Sequence, residues 1–310
     1  MVVLAGGTGG AKLARGMLDV VGPERLTVIA NTGDDVEVYG AYVSPDPDLI
    51  TFWLADQIDA RGWGLDGDTF NVMAALRDLG EEVWFNLGDR DLAMGIQRGA
   101  SLARGLRLTE AQTALANCLG VKARVLPMSD KPVRTRVQTD GRWWSLQEFL
   151  IKGRGQGEIE DVQFRGAGIA EPTPEVLEAL ASATVVVIGP SNPIISIAPI
   201  LAVAGMREAL ISSRAPVVAV SPVVGGQVLK GPTGAFMRWA GVPVSAVGLA
   251  QIYGELLDGL VCDEPVILDR GASGCAAAVL QTDLLMDSPT TRRRLAAQAL
   301  GLGAEITAKR

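Results

Sequence analysis

VVLAGGTGGAKLARGMLDVV, residues 2–21, decides the fold. A short apolar run stops at four glycines gathered around Thr8 and passes directly into a helical pattern over residues 11–20. That order reads as a buried parallel strand, a tight turn and the first crossover helix. Similar apolar runs ending in polar turns recur as TVIANTGDD (27–35), VWFNLGDRD (83–91), VVVIGPSNP (185–193) and VVAVSP (217–222). Helical patterns over 69–79, 174–183 and 197–210 alternate with them. The expectation is an α/β fold: a doubly wound, mostly parallel, Rossmann-like sheet. Ligands of such sheets sit beyond the carboxyl ends of the strands, where each of these polar clusters is expected to fall.

Residues 99–168 break the rhythm. They hold VRTRVQTDGRWWSL, a hairpin expected to turn at Asp140-Gly141, and the loose segment KGRGQGE at 152–158. They are expected to form an inserted lid or substrate subdomain, leaving 1–98 and 169–310 as a nucleotide-binding core.

Composition narrows the chemistry. A chain of 310 residues that is 48% apolar can bury a sizeable core. A net charge of -7 argues against sequence-independent binding to nucleic acid or to an anionic membrane surface. Cys118, Cys262 and Cys275 lie far apart, which offers neither a disulfide framework nor a CxxC metal site and fits a cytoplasmic location. No stretch reads as a membrane span or a signal peptide. The chain contains no histidine, so Ser-His-Asp and Cys-His mechanisms and His-ligated zinc are excluded.

Four motifs can carry chemistry. In the first, Gly6, Gly7, Thr8, Gly9 and Gly10 let main-chain amides approach a phosphate at a helix N-terminus, and Lys12 adds a full charge. It is neither a P-loop nor a good GxGxxG fingerprint, and the glycines alone also suit a plain tight turn. The second is Asn31-Thr32-Gly33-Asp34-Asp35 with Ser44-Pro45-Asp46-Pro47-Asp48. Each aspartate alone suits a turn or a cap, but two clusters suit a hard, oxygen-ligated ion such as Mg²⁺. The third is Gly88-Asp89-Arg90-Asp91, either a self-compensated surface turn or an oriented guanidinium; Trp63, near Asp66 and Asp68, suits a flat aromatic ligand or packing under a loop. The fourth is Ser191-Asn192 between prolines, with Ser221-Pro222 as a weaker counterpart.

LAGGTGGAKL, NTGDD, SPDPD, GDRD, LPMSD (126–130) and GPSNPIISI occur in that order along almost the whole chain. Together they resemble the 2-phospho-L-lactate transferase family of coenzyme F420 biosynthesis. The resemblance implies transfer of a phospho-acid (2-phospholactyl, phosphoenolpyruvyl or 3-phosphoglyceryl) from a guanosine diphosphate donor to the ribityl hydroxyl of the deazaflavin Fo, releasing GMP. It implies Mg²⁺ at Asp34 and Asp48, and a catalytic set of Asp34, Asp48 and Arg90. Deazaflavin contacts would come from Asp48, Trp63, Asp89 and Arg90. The glycine loop, Lys12, Ser191, Asn192 and Ser221 would hold the donor nucleotide, in a homodimer. On this reading Asp48→Ala lowers turnover steeply and leaves the fold intact.

Two rivals share features of the sequence. A nucleotide-sugar-binding regulator of the gluconeogenesis-factor type has a similar GGTG start, but GDRD and SPDPD favour the transferase. A nicotinamide-dependent oxidoreductase would use the glycine loop with Asp34 on the ribose.

Overall fold

In the computed structural model, which describes residues 1–228, 231–269 and 276–310, the chain carries fourteen strands among the described residues. They are β1 (Val2–Ala5), β2 (Thr27–Ala30), β3 (Val36–Val38), β4 (Ala41–Val43), β5 (Arg124–Pro127), β6 (Arg134–Thr139), β7 (Arg142–Ser145), β8 (Asp161–Arg165), β9 (Val186–Ile188), β10 (Val217–Val220), β11 (Val223–Val224), β12 (Gln227–Val228), β13 (Gly259–Cys262) and β14 (Ala278–Gln281). Seven of them form one parallel sheet in the order β14-β13-β10-β9-β1-β2-β5. The chain winds from β1 through β2 to β5 on one side, then crosses to β9 on the other. The order therefore reverses beside β1, and the α/β expectation holds.

Burial on both faces explains why the strands are continuous apolar runs rather than alternating ones. Every residue of β1 and β2 is buried. Leu4, Ile29 and Ile188 point into one core with Val176, Ile200 and Leu249, whereas Val3, Val28 and Val187 point into the other with Leu13, Met17 and Leu295. Each such side chain contributes about 1.5–3 kcal/mol when fully buried. Helices α1 (Gly7–Val21) and α2 (Pro45–Leu54) cover the second face with the terminal helix Pro289–Lys309. That last contact is close: a Cβ on Gly16 would fall 2.4 Å from the Arg292 carbonyl oxygen.

Two expectations need correction. Residues 83–88 are not a strand, and the polar cluster after them is not at a sheet edge. Leu87, with Val83 and Phe85, serves a separate small cluster with Met73, Leu92 and β3-β4, between α3 (Asn71–Asp78) and α4 (Asp89–Ala103). Apolar alternation marked burial there but not the partner. The segment 99–168 is also not one subdomain. It begins inside α4, and α5 (Leu108–Cys118) packs on β5, which is the edge of the main sheet. Only β6–β8 and α6 (Leu146–Ile151) stand apart as a three-stranded antiparallel unit. Its first hairpin turns at Asp140 and Gly141, both at positive φ as such a two-residue turn requires. Cys118 and Cys262 are free thiols, and Cys275 lies outside the described residues. Among the described residues no single helix is long and apolar enough to cross a membrane.

Candidate active site

The loops leaving β1 and β9 meet where the strand order reverses, and they wall a cavity of about 1250 Å³. Glycine is required in the first loop by contact. A Cβ on Gly9 would fall 2.1 Å from the Pro190 carbonyl oxygen, one on Gly10 2.6 Å from Ser191 Oγ, and one on Gly6 2.5 Å from Asp46 Oδ2. Gly7 needs its positive φ of 64° instead. The Gly6 amide donates to Ser191 Oγ (3.2 Å) and the Gly7 amide to Asp46 Oδ1 (2.5 Å). Gly6 has no side chain with which to cap α1 and Asp46 takes only the first amide, so the next amides of the first turn lie at the cavity with Thr8, Gly9 and Lys12. The Lys12 ammonium sits 5.7 Å from the Trp53 ring centre.

Across the crevice, Asn192 Oδ1 accepts from the Ile194 and Ile195 amides (2.9 and 3.2 Å), capping a π-helical turn over Pro193–Ile197. Its buried Nδ2 has no partner among the described residues. Ser221 also lines the cavity, its hydroxyl folded back on Val223 N and O. Gly10 packs behind this surface rather than lining it.

Carboxylates line much of the rest of the cavity, beginning against the glycines themselves. Asp34, Asp46, Asp48, Asp68 and Asp91 all line the cavity. Asp34 follows β2; its Oδ2 accepts from Gln147 Nε2 (3.0 Å), and its buried Oδ1 has no partner among the described residues. Burial first, then the charges of Asp46 and Asp35, push its carboxyl well above the usual range. Burial likewise raises Asp46 to about 6, against hydrogen bonds from Asn31 and Gly7. Behind them Asp35, raised by burial to about 7, accepts from Ser44 Oγ (2.7 Å) and Tyr42 OH (3.0 Å). Asp48, in the first turn of α2, is gripped by Arg98 of α4: Nη1 donates to Oδ2 at 3.1 Å and Nη2 to Oδ1. Arg98 is fully buried and also reaches the Tyr42 carbonyl and Gln112 Oε1.

Of the expected acceptor contacts, Trp63 stands at the cavity, 61% exposed. Asp89 and Arg90 do not line it. Asp89 caps α3, accepting from the Thr69 hydroxyl and the Asn71 and Val72 amides. Arg90 braces the 57–66 segment through Asp66 O and Gln57 Oε1. Their neighbour Asp91 does face the cavity.

Sequence reasoning missed Arg98 and Gln147, and it placed Asp46 and Asp91 in candidate motifs without assigning either a role. Arg98 carried a signal, since it occupies a stripe on α4 with Leu92, Gly95 and Ser101 where the helical period calls for a buried, uncharged residue. Gln147 carried none, because only the docking of α6 brings it to Asp34.

The comparisons with known proteins agree over nearly the full chain. A family model described as 2-phospho-L-lactate transferase CofD matches residues 1–288. A 2-phospho-L-lactate transferase of Methanosarcina mazei is 40% identical over 300 residues, covering 96% of this chain and 98% of the relative. A phosphoenolpyruvate transferase of Kitasatospora aureofaciens is 38% identical over 317 residues, covering 99% and 98%. A crystal structure of a UPF0052 family member from Bacillus halodurans superposes with a TM-score of 0.61 at 17% identity, covering 96% of this chain and 97% of that one; this likeness concerns the fold alone. With a family model over most of its length and full-length relatives at such identity, the chain belongs to the 2-phospho-L-lactate transferase CofD family.

Proposed function

We infer that the protein transfers a phospho-acid from a guanosine diphosphate donor to the terminal ribityl hydroxyl of the deazaflavin Fo, releasing GMP, in coenzyme F420 biosynthesis. The observation that carries this, given the family, is the pairing in one cavity of a helix N-terminus, whose second and third amides enter no hydrogen bond among the described residues, with a set of buried carboxylates, one oxygen of which has no partner there. Free amides at Thr8 and Gly9, with Lys12, suit the donor phosphates. Ser191, Asn192 and Ser221 offer polar groups to the rest of the nucleotide, and Trp63 offers a flat face to the deazaflavin. Asp89 and Arg90 support the acceptor side by fixing the 57–72 segment.

The donor set fits a hard cation. Carboxylates pushed towards protonation by burial and by one another gain most from a divalent ion. Among the described residues no three carboxylates, histidines or cysteines converge to hold an ion by themselves, the arrangement expected when Mg²⁺ keeps water and phosphate oxygens among its ligands. Asp34 would hold it through Oδ1, with Asp48, which lines the same cavity, as the second carboxylate. Bound there, Mg²⁺ would neutralise charge spreading over the phosphate oxygens. The protein's own part is to align the hydroxyl with phosphorus and to exclude water.

The regulatory alternative is not favoured: the likeness to the Bacillus halodurans protein is one of fold, whereas full-length relatives near 40% identity are named transferases. Those names divide between phospholactate and phosphoenolpyruvate, a difference so small that one or two side chains set it. The test is mass spectrometry of the products formed from Fo and each guanosine diphosphate donor offered separately with Mg²⁺. A phosphodiester-linked Fo and GMP are expected; no conversion with any donor would overturn the reading.

A further inference from the structure

The acceptor hydroxyl must lose a proton as it attacks phosphorus, and with no histidine in the chain a carboxylate is the natural acceptor. Most of the cavity's carboxylates are already engaged. Asp46 is held by the Gly7 amide and Asn31, Asp48 by both arms of Arg98, and Asp34 by Gln147 on one oxygen. Asp68 caps α4 through the Arg90 and Asp91 amides. Oxygens committed to protein donors in this way are not free to meet the hydroxyl, and a carboxylate beside a cation holds a proton poorly.

Asp91 differs. It occupies the first turn of α4, half-buried, with its backbone amide fixed on Asp68 Oδ2 at 3.1 Å. Among the described residues its side-chain oxygens enter no hydrogen bond or ion pair, although the side chain lines the cavity beside Gly88 and Phe70. Its position is thus set by the main chain, and its lone pairs are free for a ligand.

We propose that Asp91 is the proton acceptor of the transfer, an inference that rests on the transferase reading above. The hydroxyl proton of Fo passes to an Asp91 oxygen as the hydroxyl oxygen forms its bond to the acid-bearing phosphorus. The bond from that phosphorus to the oxygen it shares with the nucleotide's own phosphate breaks, and GMP leaves with the electron pair. Asp91 then returns the proton to solvent. The charged groups facing it are Asp48 of α2, Asp68 of the preceding loop and Arg98 of its own helix.

The experiment compares wild type, Asp91→Asn and Asp91→Glu with Fo, Mg²⁺ and the donor that wild type uses. Three quantities are read: kcat against pH, KM for Fo, and Fo affinity from its fluorescence. If wild type forms no product, the transferase reading fails and this inference with it. If wild type is active, Asp91→Asn should lower kcat by about 100-fold or more. KM and Fo affinity should stay unchanged, and the acid limb of the kcat profile should disappear. Asp91→Glu should recover part of the rate and keep an acid limb. Wild-type kcat in Asp91→Asn, an unchanged acid limb, or a loss of rate matched by an equal loss of Fo affinity would each overturn the assignment. Since no neighbour bonds to the Asp91 side chain, Asp91→Asn should melt with wild type; should it fail to fold, the Asp91→Glu profile decides, and an unshifted acid limb there overturns the assignment.

Discussion

Arg98 and Asp48 form a two-pronged ion pair in which neither side chain meets solvent appreciably, joining the middle of α4 to the first turn of α2. The pair also reaches Gln112 of α5, whose Nε2 donates to Thr51 Oγ1 at 3.0 Å. Three helices thereby share one buried polar network beside the cavity.

Asp48→Ala strands a guanidinium with no access to water. Breaking a buried pair from one side costs about 3–5 kcal/mol, so this variant should lose stability as well as turnover. That corrects the expectation, formed on the motif alone, that the fold would be left intact. Chemical denaturation of Asp48→Ala, Arg98→Met and the double variant is the check; single variants no less stable than wild type would show that the pair carries little.

Gln147 orients Asp34 and leaves Oδ1 open. If Asp34 is a cation ligand, Gln147→Leu should weaken apparent Mg²⁺ affinity by about 10- to 100-fold, the usual effect of removing a group that orients a ligand. The Mg²⁺ concentration for half-maximal activity and direct calorimetric titration should move together. An unchanged Mg²⁺ requirement would place the ion elsewhere.

Neighbouring glycines should respond differently to alanine. At Gly9 the new methyl meets the Pro190 carbonyl, which is backbone and cannot step aside, so the contact between the two phosphate-side loops must open. Gly7 has open space around its missing Cβ and faces only the conformational cost of a left-handed φ, about 1 kcal/mol. Gly9→Ala should abolish GDP binding measured by calorimetry, while Gly7→Ala should retain most of it.

Burial raises Asp35 to about 7 and Asp46 to about 6, each above its value in the unfolded chain. The folded state therefore binds more protons than the unfolded one between about pH 4 and 7, and this contribution to stability is lost as pH rises through that window. Melting temperature in EDTA should fall between pH 5 and pH 8. Adding Mg²⁺ at pH 8 should recover part of the loss, because a cation takes over the work of the protons. A melting temperature that climbs with pH in EDTA would contradict this.

The sheet was largely legible because its strands are buried on both faces, and uninterrupted runs such as residues 185–188 admit few other readings. The same signal misled at residues 83–88, where the apolar side chains are covered by Met73 and Leu92 rather than by a neighbouring strand. β5 was hidden by brevity: four residues starting with an exposed Arg124 offer little pattern. In the site, the glycine loop and Asp34 could be read from strand ends. Asp91 and Asp89 could not be told apart, since one helical turn decides which faces the cavity and which caps α3. Gln147 depends on a contact spanning 113 residues, beyond the reach of any local motif.

The bond from the Gly6 amide to Ser191 Oγ spans 185 residues. Neither half of the polypeptide contains all of the proposed donor site, so fragments ending before residue 189 or beginning after residue 10 should show no measurable nucleotide affinity. High contact order of this kind also slows folding, because the entropy of closing so long a loop must be met before β9 can join β1. Nucleotide added during refolding should therefore trap only the last-formed species, making ligand capture a reporter of completed assembly.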